Sequence, residues 1–338
     1  MSTSEPLHSR VAGRAIETFF TASSSLAGAL PIAKPEFHGI ERLRDIPYRR
    51  SGHRAHTLDI YRPPGCRQAP VVFYIHGGGF RFLSKDSHWI MALGFALKGY
   101  LVVCINYRLA PRHPFPAALV DSCHAFDWVH RHIEAYGGNP EEIIVAGESA
   151  GANLAANIVL ASCQPFPEAW MRRIHALGTV PRAAILACGI LQVSEPERYL
   201  EKLSLPPWIY HRVAEVGRAY LAPSSFKDRR STALADPLVI LETLSQVDRP
   251  LPPIFAPVGT ADPLLDDTLR LEKALRSLEV PVDARYYPGE LHAFHAFVFR
   301  RQARQCWRDT YAFLDRYAPP RQSPVFDLTR DESSSRVA

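Results

Sequence analysis

The chain reads as an α/β protein: a mostly parallel central sheet flanked by helices, with a helical cap. Two observations predict the sheet. Short, wholly apolar runs, Val71 to Ile75, Leu101 to Ile105, Ile143 to Ala146 and Ala183 to Cys188, alternate with stretches of helical length. Such runs are what strands buried on both faces require, and their alternation with helices is the signature of parallel crossovers. The cap follows from a third observation, a long break in that alternation between Leu191 and Thr232.

Taken in order, the first ten residues carry no periodicity. From Val11 to Ala27 the positions Val11, Ala15, Ile16, Phe19 and Phe20 recur at helical spacing and predict a helix with one apolar face. That face suits either a cap segment, residues 1–45, or an ordinary helix on the core. Core residues 46–190 begin with strands at His56 to Tyr61 and Val71 to Ile75, split by the turn Arg62-Pro63-Pro64-Gly65. A helix at His88 to Leu97, the strand Leu101 to Ile105, and a helix from Leu119 to Tyr136 follow. The last is closed by Gly137-Gly138-Asn139-Pro140. Next come the strand Ile143 to Ala146, a helix from Ala150 to Ser162, and the strand Ala183 to Cys188. Residues 191–232 offer two short helices rich in Tyr199, Trp208, Tyr210 and Tyr220. A connection of that length in an α/β sheet carries function more often than not, here as a cap insertion. The core resumes over residues 233–317 with the strand Pro253 to Val258, the helix Thr268 to Leu278, the strand Val282 to Tyr287 and the helix Arg300 to Tyr317. A polar tail spans residues 318–338.

Composition narrows the functional classes. The net charge of +5 is spread among interspersed acidic and basic residues, with no basic stripe, so no nucleic-acid partner is expected. Six cysteines without a C-x-x-C pair, two of them inside predicted strands, read as buried thiols in reducing, cytoplasmic surroundings. No run of eighteen apolar residues exists, so no transmembrane segment is expected. Arg10 and Arg14 ahead of Phe19 to Ala33 imitate a signal peptide, but Thr21 to Ser25 makes its centre too polar. A homodimer paired through an edge strand is compatible with the fold.

The chemistry centres on Gly147-Glu148-Ser149-Ala150-Gly151. A strand that turns here directly into a helix puts Ser149 at a sharp elbow, its hydroxyl exposed above the sheet. Glycines at 147 and 151 suit so tight a crossing. A serine needs a base, and His292 lies just past the strand Val282 to Tyr287, with His295 as the nearby alternative. The base needs a carboxylate, and Asp262 follows the strand Pro253 to Val258, with Asp266 and Asp267 as alternatives better suited to starting a helix. A fourth element, His76-Gly77-Gly78-Gly79-Phe80, follows the strand Val71 to Ile75. The Gly77 and Gly78 amides, with that of Ala150, can surround an oxyanion. A phosphate loop would need a following G-K-[ST], which is missing. His76 is read as orienting this loop.

These motifs, with Tyr107-Arg108-Leu109-Ala110-Pro111 and Asp262-Pro263-Leu264, resemble those of the hormone-sensitive-lipase-like carboxylesterases of the α/β-hydrolase superfamily. The resemblance runs from about residue 40 to residue 317. It implies a carboxylesterase with Ser149 as nucleophile, Asp262 as acid, His292 as base, and Gly77, Gly78 and Ala150 as oxyanion donors. It further implies a small ester substrate of short to medium acyl length and no metal or organic cofactor. An amidase or arylacetamide-deacetylase-like activity would use the same residues, and a non-catalytic binding role would dispense with them. Three departures stand out: Arg112 where glutamate is usual, Ala293 where glycine is usual, and Glu148 where aspartate is frequent.

Overall fold

A computed structural model describes residues 28–199, 207–221 and 232–321, together with a few single positions before residue 28. The helix expected over Val11 to Ala27 and the tail beyond residue 321 therefore lie outside the described residues.

Eight strands form one sheet in the order β1-β2-β4-β3-β5-β6-β7-β8. They are β1 (Glu41–Pro47), β2 (Thr57–Arg62), β3 (Ala69–Ile75), β4 (Leu101–Ile105), β5 (Gly138–Glu148), β6 (Ala183–Ala187), β7 (Ile254–Gly259) and β8 (Val282–Tyr287). β2 is antiparallel to β1 and β4, and every other neighbouring pair is parallel. Parallel pairing needs crossovers, which are supplied by α1 (Trp89–Leu97), α2 (Ala117–His132), α3 (Ala150–Cys163), α4 (Ala169–His175), α6 (Pro237–Thr243) and α7 (Leu265–Ser277), while α8 (Arg301–Tyr317) follows the last strand and packs back on the sheet. A further helix, α5 (Pro207–Tyr220), belongs to the insertion.

Strand alternation divides the interior in two. Val71, Phe73, Val103, Val145 and Leu186 point into one core with residues of α2, α3 and α7, while Val72, Tyr74, Val102, Ile144 and Ile185 face the other with α1 and α8. Both sheet faces are thus covered, as the apolar runs require.

The sequence reading omits three elements. β1 has four charged residues in seven and is largely exposed; as an edge strand paired only with β2 it needs no apolar run. α4 and α6, at seven residues each, are too short to display a helical period. β5 also begins five residues earlier than expected. The turn-like Gly138-Asn139-Pro140 enters the strand through an irregularity between the Ala69↔Gly138 and Val71↔Ile143 pairs. All six cysteines are free thiols, five of them buried. Among the described residues no helix is long and apolar enough to cross a membrane.

Candidate active site

Because β3, β5, β6, β7 and β8 run parallel, the loops after them open on one edge of the sheet. Ser149 stands between β5 and α3 with φ 54° and ψ −117°, a conformation costly for any side chain and held only by its surroundings. Its amide donates to Ala187 O and its carbonyl accepts from Ile190, which pins the elbow to β6 and the loop beyond. The flanking glycines are steric necessities. A Cβ on Gly147 would lie 2.4 Å from the Gly151 backbone, and one on Gly151 only 2.0 Å from Ile75 O. The helix can therefore cross the sheet here only with hydrogen at both positions.

Ser149 Oγ is 3.0 Å from His292 Nε2, and His292 Nδ1 is 2.9 and 3.1 Å from the two oxygens of Asp262. His295 and the aspartates at 266 and 267 do not join this line. The acid and base loops are tied together: Ala261 donates to Glu290 O, Gly289 donates to Thr260 Oγ1, and a Cβ on Gly259 would sit 2.0 Å from Glu290 O. The Asp262 carboxylate is turned by its own loop, accepting from the Leu264 amide at 2.8 Å.

Charge in this line has a definite direction. Burial opposes a proton on His292, but Asp262, with Cys188 beside it, outweighs burial and raises the imidazole pKa well above 6.5. The ring keeps 35% of its side-chain surface in solvent whereas Asp262 has none, so the carboxylate acts at close range while desolvation of the ring is incomplete. Cys188 Sγ lies within 4.8 Å of the His292 and Asp262 donor atoms, a neighbour with no motif to announce it.

The three glycines of the loop place their amides differently. The Gly77 amide is turned inward, 3.4 Å from Nε2 of buried His88. Gly78 and Gly79, with φ of 104° and 56°, are half-buried, and their amides take no hydrogen-bond acceptor among the described residues. Ala150, first in α3, likewise has no intrahelical acceptor. Gly78, Gly79 and Ala150 thus have amides without an acceptor among the described residues. Which amides face outward depends on the loop's positive dihedrals, which three consecutive glycines permit without specifying. His76 is fully buried and stacked on Tyr107 with ring centroids 4.2 Å apart. Burial lowers its pKa to about 3, with neighbouring His88 acting in the same direction, so it remains a neutral support.

The insertion reaches this loop. Val216 of α5 is 2.8 Å from where a Cβ on Gly79 would stand, and Tyr220 stacks on Phe80 at 3.7 Å. Asp267, excluded from the proton line, is buried and accepts from the Leu191 and Gln192 amides and from Arg198 and Tyr199. It anchors the start of the insertion to α7.

Comparison with known proteins places this geometry in context. Residues 72–296 match the family described as alpha/beta hydrolase fold. The chain is 29% identical to the esterase LipI of Mycobacterium tuberculosis over 280 residues, covering 75% of this chain and 79% of LipI. It is 32% identical to the acetyl esterase of Salmonella dublin over 240 residues, 70% of this chain and 69% of the relative. Among solved structures, the esterase LipW of Mycobacterium marinum superimposes with a TM-score of 0.73 at 25% identity, covering 91% of this chain and 90% of LipW.

Proposed function

The chain belongs to the α/β-hydrolase fold family, in the esterase and lipase group that includes hormone-sensitive-lipase-like members, and we propose that it is a serine carboxylesterase of short- to medium-chain esters. The observation that carries the proposal is the unbroken line from Ser149 Oγ through the His292 ring to Asp262. In this reading His292 takes the Ser149 proton as the hydroxyl attacks the ester carbonyl. The amides of Gly78, Gly79 and Ala150 receive the oxyanion, each contributing about 2.7–4 kcal/mol to the transition state. His292 then protonates the leaving alcohol. Water, activated by the same ring, releases the acid and restores Ser149. Asp262 keeps the Nδ1–H tautomer and stabilises the transient imidazolium.

In this reading residues 191–232 cap a core of 46–190 and 233–317, and most of the expected cap segment 1–45 lies outside the described residues. The contacts of Val216 and Tyr220 with the glycine loop support this assignment. The printed names of the relatives, esterase and acetyl esterase, support a small ester substrate. Six free thiols support a reducing, cytoplasmic setting.

Hydrolysis of chromogenic esters from acetate to laurate, run beside matched amides, tests the proposal. Turnover by the wild type, with kcat lowered by at least about a thousandfold in Ser149→Ala, is expected. Equal turnover by that variant would sink it.

A further inference from the structure

Beneath the nucleophile, Glu148 buries its carboxylate between two histidines that the mechanism above does not use. Oε1 lies 2.8 Å from Nε2 of His88, and Oε2 lies 2.7 Å from Nε2 of His295. All three residues are buried. Two acceptors do not face one another at such distances in a dry site, so each gap holds a proton. The second ring nitrogen of His88, Nδ1, faces Ser84 O at 3.1 Å and Ser87 Oγ at 3.0 Å. The Ser87 hydroxyl already donates to Ser84 O at 2.7 Å, so Nδ1 must carry hydrogen too. At His295, Nδ1 is buried without a hydrogen-bond partner, as befits a neutral ring protonated at Nε2. Three protons shared by two imidazoles and a carboxylate make the group neutral. That is one proton more than two neutral rings around a carboxylate would hold.

The group touches both halves of the site. Glu148 Cγ and Oε1 are 3.2 and 3.3 Å from where a Cβ on Gly77 would stand, and the Gly77 amide is aimed at His88. His295 lies three residues beyond His292, with its carbonyl held by Trp307 Nε1. Loss of the third proton would leave a buried negative charge behind the loop that must receive an oxyanion, and the two charges would repel in a medium that screens poorly.

We propose that His88, Glu148 and His295 form one neutral positioning unit that keeps the glycine loop and the His292 loop in register around Ser149. The inference rests on the esterase reading. The other titratable groups facing the unit are Tyr74 from β3, His76, Tyr107, Cys188 and, through Cys188, the Asp262–His292 pair. Burial keeps the first four uncharged: it raises the pKa of both tyrosines and of the thiol and lowers that of His76. Burial would raise the Glu148 pKa, but His88 and His295 hold it well below 4.5, which puts the shared proton on the His88 side.

The test measures kcat and KM for a chromogenic butyrate from about pH 6 to 10 in the wild type, Glu148→Gln and Glu148→Ala. A glutamine amide reproduces the neutral unit: its NH2 donates to His88 Nε2 and its oxygen accepts from His295. Glu148→Gln is therefore expected to keep at least about tenfold more kcat than Glu148→Ala, with KM within about threefold of wild type. Spectra of 15N-histidine-labelled protein, assigned with His88→Gln and His295→Gln, should show hydrogen on Nδ1 of His88 and none on Nδ1 of His295 at neutral pH. Equal kcat in the two Glu148 variants or a bare Nδ1 on His88 would each overturn the proposal. Should Glu148→Ala not fold, the spectra decide. Absence of ester turnover in the wild type would instead defeat the esterase reading, and the spectra would still decide the proton count.

Discussion

Asp262 sets which form of His292 the reaction meets. A base works deprotonated, so with the His292 pKa raised above 6.5, activity should climb as pH rises through that higher value. Asp262→Asn removes the cause and should move this acid limb to lower pH. It should also cut kcat by about 10³–10⁴, because the Nδ1–H tautomer loses its acceptor. A pH profile of kcat/KM on both proteins checks the shift, and an unmoved limb would assign the raised pKa to another group. Ala293 carries a second residue-scale prediction. It holds φ 55° and ψ 27°, left-handed backbone that favours glycine, which is the physical content of its departure from the family pattern. Ala293→Gly should raise stability by up to about 1 kcal/mol, read as a shift in the urea midpoint, since relieved strain exceeds the added unfolded-chain entropy. At this scale Ser149, Asp262 and His292 were legible because each follows a predicted strand. The inward turn of the Gly77 amide and the His88–Glu148–His295 group were not, since neither has a local pattern.

Among the elements, the loop after β6 depends on a carboxylate outside the reactive line. Asp267 is fully buried and accepts from two backbone amides, Arg198 and Tyr199. Asp267→Ala would strand a cation and two amides, with an expected loss of about 3–5 kcal/mol in chemical denaturation. A loss below about 1 kcal/mol would mean that water replaces the carboxylate and that the anchor is weak. The sequence marks Asp267 only as a helix-start residue, and it does stand in the first turn of α7. Its grip on residues 191 and 192, more than seventy positions away, is a tertiary contact. Element type and order were legible where a strand is buried on both faces, as at Leu101–Ile105, whose bounds match the expectation. They were illegible at β1, which is charged and at the edge, and in the seven-residue helices, which bury too few positions to show a period.

For the whole molecule, paired carboxylates set the acid limit. Burial opposes charge on Glu148, but His88 and His295 hold it well below 4.5, and Asp86, its side chain exposed, is lowered from 3.8 by Lys85 and Arg42. A carboxylate with a depressed folded pKa stabilises the fold above its unfolded pKa, and that stability is lost as pH falls through the folded value. The thermal midpoint should therefore hold near neutrality and decline once pH drops below about 4.5. Glu148→Gln should flatten this decline, and an unchanged slope in that variant would assign the acid sensitivity elsewhere. His292 has the opposite sign: its raised pKa favours the folded state below the ordinary histidine value, and that contribution fades as pH rises through the folded pKa.

Periodicity and punctuation alone determined the parallel sheet, its covering helices and the three side chains that meet at its edge. Buried strands and the tight turns after them impose composition locally, where a linear chain records it. The folded structure alone decided which glycine amides face the cleft, which histidines enclose Glu148, and what secures the insertion. Those outcomes depend on backbone dihedrals and on proton sharing between residues distant in the chain, and neither leaves a mark on neighbouring sequence.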